Sequence, residues 1–411
     1  MESCGEEGRG ETRRGEKPLM HETSEEYHRP IMSSRNALSL ELAGLPEALR
    51  ARLAAHGFDE RRFLALADRL DPSFADQNRL KGPVEAPADD ELLRIPDTGA
   101  EEARLRARGE EALSRGEVAM VVLAGGMATR MGGVVKALVP AVLGRTFLEL
   151  RLRENETVGR RYGKPVPLWL MASDATHEPT TAALKRYGAG AHVATFVQDL
   201  SLRLTPEGAL FRDDAGAPST YATGHGDLPD ALRRSGLLGR HRAAGGTVVW
   251  IANLDNLGAT VDPVILGLFL EQRDRGKKVM VEVCDKAPLD KGGGPVHAEG
   301  TLQVVEEFRL PVGFDASRIK VFNTNTVLVD AAALDETAID WTWFRVEKAA
   351  HGRKAIQFER LVQELTRALP AAYVRVPRDG VTSRFLPVKD PEELARRGPE
   401  LSAVATSRGM L

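Results

Sequence analysis

From Val118 onward the chain repeats one pattern: strand-length runs of apolar residues separated by helical stretches. The runs are VAMVVL at 118–123, PLWLMAS at 167–173, HVATFVQ at 192–198, TVVWIANL at 247–254 and KVMVEV at 278–283. They are continuous rather than alternating, as expected of strands covered on both faces, which is how parallel strands are buried. EPTTAALKRYG and LPDALRRSGLLG lie between them with helical spacing. The pattern predicts an α/β fold whose mostly parallel sheet is flanked by helices. KVFNTNTVLVD at 320–330 is read as a later strand, and IQFERLVQELTRAL at 356–369 as an amphipathic helix. SRFLPV, just before Lys389, is strand-like.

The chain ahead of this repeat is different. Residues 1–35 hold eight acidic and six basic side chains with few large aliphatics. Such a segment buries too little apolar surface to offset its ordering entropy, so a disordered tail is expected. From Leu38 to about Arg115, LPEALRARLAAHGF, DERRFLALADRL and AEEARLRARGEEALSRG place apolar residues at helical spacing. Over all 411 residues, 56 Lys and Arg face 59 Asp and Glu, a net charge of −3 that argues against a nucleic-acid binder. No apolar stretch is long enough for a transmembrane helix, and the Glu-rich N-terminus is no secretory signal. Two cysteines, Cys4 and Cys284, cannot form a disulfide framework, so a cytoplasmic, reducing location is the simplest expectation.

The strongest local signal is LAGGMATRMGG at 123–133, directly after the first apolar run. Glycines at a strand end let the backbone approach a ligand, and free N–H groups there suit phosphate oxygens. Neither the Walker pattern nor G-x-G-x-x-G fits, since Gly125 and Gly126 are adjacent and no Gly-Lys-Ser/Thr follows. On spacing alone, a Gly-rich turn with a salt-bridged Arg130 remains an alternative.

Here the residues carry a resemblance. LAGGMATRMGG, FVQ at 196–198, GHGD at 224–227, NLDNLGATVD at 253–262, DKGGG at 290–294, FNTNT at 322–326 and FLPVK at 385–389 occur in that order. The set resembles the sugar-1-phosphate nucleotidylyltransferases, in the branch of the UDP-glucose and UDP-N-acetylhexosamine pyrophosphorylases. Two departures stand out: Ala128 replaces the family's second loop glycine, and Val135-Lys136 replaces its Pro-Lys. An alanine there is expected to put a Cβ beside the phosphates.

The resemblance implies a Rossmann-like nucleotidylyltransferase fold and a set of roles. Arg130, Lys136 and Lys389 are the expected catalytic cations that clamp the reacting phosphates, beside the loop glycines Gly125 and Gly126. Asp255 is the expected ligand of Mg²⁺, the implied cofactor. Gln198 and Gly226 match the uracil side, and His225, Asn253 and Asn325 the sugar phosphate. Gly293 and Asn323 match the sugar hydroxyls, where neutral amides offer donor and acceptor together. The implied domains are a tail at 1–35, a helical region at 36–116 and a catalytic domain at 117–350. Residues 351–411 would supply a C-terminal helix and strand completing the active site, without the β-helix domain of eukaryotic relatives. Only 22 residues follow Lys389, so a monomer or dimer is expected.

The implied activity makes UDP-glucose and pyrophosphate from UTP and glucose 1-phosphate, with no nucleic-acid or membrane partner. Two alternatives stay open. One is the sister reaction on an N-acetylhexosamine 1-phosphate, or a broad UTP–sugar enzyme. The other is a non-catalytic nucleotide-sugar sensor.

Overall fold

Strand-forming runs meet in an eight-stranded sheet with helices on both faces. The computed structural model describes residues 34–70, 78–128, 131–288, 290 and 292–411. The strands are β1 (Leu93–Arg94), β2 (Val118–Leu123), β3 (Leu168–Ala172), β4 (Val193–Val197), β5 (Val248–Asn253), β6 (Val279–Asp285), β7 (Val321–Asp330) and β8 (Ala371–Arg375). Their order is β1-β8-β6-β7-β5-β2-β3-β4, and only β7 runs antiparallel to its neighbours. Alternation explains the continuous apolar runs. Val118, Met120 and Val122 enter one core with Val248 and Trp250, while Ala119 and Val121 enter the opposite core with Val249 and Ile251.

The first core is closed by a helix pair, α1 (Ala100–Arg115) and α2 (Pro263–Asp274). These helices touch through glycines. A Cβ added at Gly109 would stand 1.9 Å from Pro263 O, and one at Gly267 would stand 2.0 Å from Leu105 O. Gly267→Ala is therefore expected to destabilise the fold by about 3 kcal/mol, because the methyl collides with backbone rather than with a movable side chain. Urea unfolding checks this, and an unchanged midpoint would contradict the close crossing.

Topology locates a crevice. The chain leaves β2 toward β3 and β4 on one side, whereas β5 pairs with the other edge of β2. Open parallel sheets bind ligands at the carboxyl ends of strands where the winding reverses. That point lies between Leu123 and Asn253, which are register partners.

Four departures from the sequence reading have physical causes. The first helix starts at Ser34, inside the expected tail, while residues 1–33 lie outside the described residues. The helical region at 36–116 also gives a strand, β1, to the sheet edge. The helix expected at 356–369 is instead a strand, Arg353–Glu359, hairpinned with Phe344–Ala350. A 3₁₀ turn and a four-residue helix, Leu365–Ala368, follow. Ile356 and Phe358 pack onto Leu200, Leu202 and the N-terminal helices, so tertiary burial overrides the helical spacing. Lastly, the segment around 383–389 forms no strand and joins no sheet. Beyond it α3 (Pro391–Ser407) starts as its sequence predicts, with the Asp390 carboxylate accepting from Glu393 N–H and Pro391 in the first turn. Among the described residues no helix is long and apolar enough to cross a membrane.

Candidate functional site

At the switch point the structure opens a cavity of about 600 Å³, a size typical of small-molecule sites. Eleven of the thirteen expected site residues line it: Gly125, Gly126, Lys136, Gln198, His225, Asn253, Asp255, Gly293, Asn323, Asn325 and Lys389. Arg130 lies outside the described residues. Gly226 does not line the cavity. Its N–H is donated to Arg360 O at 2.9 Å, so it holds the wall from behind, and neighbouring Gly224 reaches the cavity instead.

The Gly-rich segment folds as a small hairpin, with Met127–Ala128 paired to Val134–Val135. Pairing brings Lys136 back to the strand end, where its N–H meets Gly126 O at 3.2 Å. The Ala128 side chain is buried in the core under the hairpin rather than beside the cavity, which corrects the expected Cβ near the phosphates. The Lys136 Nζ donates to Asp255 Oδ2 at 2.6 Å, joining the hairpin to the loop after β5. A second bond, from Val388 N–H to the same oxygen at 3.3 Å, ties in the segment that carries Lys389.

The amide side is equally ordered. Gln198 Nε2 donates to Gly224 O at 2.9 Å. Asn325 Nδ2 donates to Asn253 Oδ1 at 2.9 Å, and Asn325 N–H to Asn323 Oδ1 at 3.0 Å. Asn325 has φ +58°, and the β6–β7 register slips between Glu282 and Val283. Such a bulge re-aims side chains beside a site.

His225 Nδ1 accepts the Val362 N–H at 2.9 Å, which leaves Nε2 to carry the proton of the neutral ring. Burial pushes its pKa down to about 4. The folded value lies below the ordinary 6.5, so the stability this ring contributes is present above pH 6.5 and is lost as pH falls toward about 4. An NMR titration of the ring is expected to show a midpoint near 4; a midpoint near 6.5 would mean the ring is solvated.

Arg360 holds this wall. Its guanidinium donates to Asp227 Oδ1 and Asp199 Oδ2, both at 2.7 Å, and to Asp230 Oδ2 at 2.6 Å. Sequence reasoning missed Glu306, Phe322, Glu359, Gln363 and Phe385, which also line the cavity. Gln363 Nε2 bonds Glu306 Oε1, and burial raises the Glu306 carboxyl pKa. Phe322 and Phe385 stand inside quoted motifs and could have been found; Glu306 and Gln363 carry no local signal.

The family model described as UTP–glucose-1-phosphate uridylyltransferase matches residues 73–401. The chain belongs to this family. A curated member from Hordeum vulgare, named UTP–glucose-1-phosphate uridylyltransferase, is 32% identical over 294 residues. That match covers 68% of this chain and 61% of the barley protein, so the chain spans about three fifths of that relative's length. Among solved structures, the Trypanosoma brucei uridine diphosphate N-acetylglucosamine pyrophosphorylase aligns with a TM-score of 0.67 at 22% identity, covering 89% of this chain and 84% of that one. A Trypanosoma brucei UDP-glucose phosphorylase also aligns at 0.67, with 21% identity, covering 88% of this chain and 78% of that one. At those identities the likeness shows the shared fold of the family's structures.

Proposed function

We propose that the chain is a uridylyltransferase that makes UDP-glucose and pyrophosphate from UTP and glucose 1-phosphate, assisted by Mg²⁺. One observation carries the reading. A single cavity at the switch point gathers a Gly-rich strand end, two lysines, the carboxylates of Asp255, Glu306 and Glu359, and a set of neutral amides. Both reactants are anions, so the site must neutralise charge and align them. An oxygen of the sugar phosphate attacks the α-phosphorus of UTP. As that bond forms, the bond to the bridging oxygen breaks and pyrophosphate leaves with the electron pair.

Lys136 and Lys389 stand on opposite sides of Asp255 in sequence and meet at one cavity, which suits cations serving one phosphate chain. Arg130 is assigned a bidentate phosphate contact by its place in the loop. Gln198 and Gly224 face the uracil edge. His225, neutral and keeping its Nε2 proton, donates to the sugar phosphate without changing charge near neutral pH. Asn253, Asn323, Asn325 and Gly293 hold the sugar and its phosphate.

The residues fit a magnesium ion shared with substrate. No group of three or more His, Cys, Asp or Glu capable of holding a metal occurs among the described residues. Asp255 offers a carboxylate beside Lys136 in the loop after β5, and Mg²⁺ is commonly held by one or two carboxylates plus substrate phosphates. When bound there it would neutralise phosphate charge.

Pyrophosphate release with UTP and a panel of hexose 1-phosphates tests the assignment. Glucose 1-phosphate is expected to be the best substrate. Faster release with N-acetylglucosamine 1-phosphate would assign the sister activity, and no release with any sugar phosphate would overturn the reading.

A further inference from the structure

Resting on that uridylyltransferase reading, we propose that Asn256 is a positioning residue that fixes Lys389 against Asp255 across the cavity. The segment from Arg384 to Lys389 has the alternation of a strand. Arg384, Leu386 and Val388 are buried, whereas Phe385, Pro387 and Lys389 line the cavity. It belongs to no sheet: Arg384 N–H bonds Pro377 O at 2.9 Å, and from Leu386 on the backbone N–H groups bond to side chains. Leu386 N–H donates to Asn256 Oδ1 at 2.8 Å, and Asn256 Nδ2 donates to Arg384 O at 3.0 Å. Two residues on, Val388 N–H reaches Asp255 Oδ2 at 3.3 Å. Two consecutive side chains, 255 and 256, thus do the work of a neighbouring strand. One of them is the carboxylate assigned to the metal, and the segment they hold ends in the assigned catalytic lysine.

The Asn256 side chain faces no solvent, being 1% exposed, and its own loop is fixed from two directions. Arg151, on the helix Phe147–Tyr162, donates to Asn256 O at 2.9 Å and Ala259 O at 2.8 Å, with Glu154 as its buried partner. Glu154 in turn accepts from Val261 N–H at 3.2 Å. From the other side, Arg384 forms a buried two-pronged bond to Glu282 at 2.7 and 2.6 Å and donates to Thr260 O at 2.9 Å. The loop after β5 and the C-terminal segment are therefore one rigid unit with the Asn256 amide at its seam. An amide suits that place because it supplies one donor and one acceptor to an extended backbone, as a strand does. A misplacement of about 1 Å at a reacting group is enough to cost on the order of 10²-fold in rate.

A double-mutant cycle with Lys389 tests this. Asn256→Ala is expected to lower kcat about 10²-fold, with KM for UTP and for the sugar phosphate changed less than about threefold. In the Lys389→Ala background the same substitution is expected to lower kcat less than about threefold, because the group it positions is gone. A purely structural role would lower the unfolding temperature while leaving the kcat of the folded enzyme unchanged, and that result would overturn the proposal. So would a full loss that persists in the Lys389→Ala background. Should the alanine variant not fold, Asn256→Ser repeats the cycle with a smaller cavity and is expected to show the same non-additivity with Lys389→Ala. The uridylyltransferase reading fails separately: it is sunk if the wild-type chain itself releases no pyrophosphate.

Discussion

Asp255→Ala is expected to lower turnover by about a thousandfold or more at saturating Mg²⁺ while the protein stays folded. The carboxylate stands in the loop two residues past β5 and accepts from both the Lys136 ammonium and the Val388 N–H. In the proposed reaction it shares Mg²⁺ with the phosphates, and losing such a charge clamp removes several kcal/mol of transition-state stabilisation. About 1.4 kcal/mol is a factor of ten in rate, which sets the scale. Stability should fall by no more than about 1–3 kcal/mol, the cost of leaving the Val388 N–H without its acceptor. The pair it forms with Lys136 is partly exposed, with side chains 14% and 23% accessible, and such pairs contribute on the order of 1 kcal/mol or less. Kinetics and a thermal melt on the same preparation check both halves. Activity above about a tenth of wild type would remove Asp255 from the mechanism.

Lys389→Ala is expected to lower kcat on the order of 10²–10³-fold with a smaller change in KM, the scale of losing one preorganised transition-state stabiliser. The structure makes the variant clean. Lys389 is exposed at the cavity rim, and its backbone N–H is held by Glu393 Oε2 at 2.8 Å, so the truncation leaves the segment anchored. Steady-state kinetics with both substrates separate the outcomes. A change confined to KM would mean the ammonium binds ground state and transition state equally, and the catalytic assignment would fall.

Much of the architecture was legible because it depends on local pattern. The strands at 118–123, 168–172 and 248–253 show as apolar runs since each buries both faces, and burial leaves its mark residue by residue; the edge strand 193–197 was legible too, though of its residues only Phe196 is fully buried. The Gly-rich turn after β2 and the Asp390-Pro391 helix start were visible for the same reason: a backbone requirement is met by particular residue types at fixed offsets. The ordered motifs then named eleven residues that meet at one cavity.

What the tertiary structure alone decided involves partners distant in sequence. The run 356–369 has helical spacing, yet Ile356 and Phe358 become strand residues because a hairpin partner and the N-terminal helices cover them. Ala128 stands in the phosphate-loop motif, but the hairpin turns its methyl into the core. Gly226 is occupied by Arg360 O, a contact 134 residues away, so the cavity wall falls to Gly224. SRFLPVK has the alternation of a strand, and only the fold shows that its partners are the side chains of Asp255 and Asn256. A sequence records what each residue requires of its own backbone and burial; which distant group meets that requirement is fixed only when the chain closes on itself.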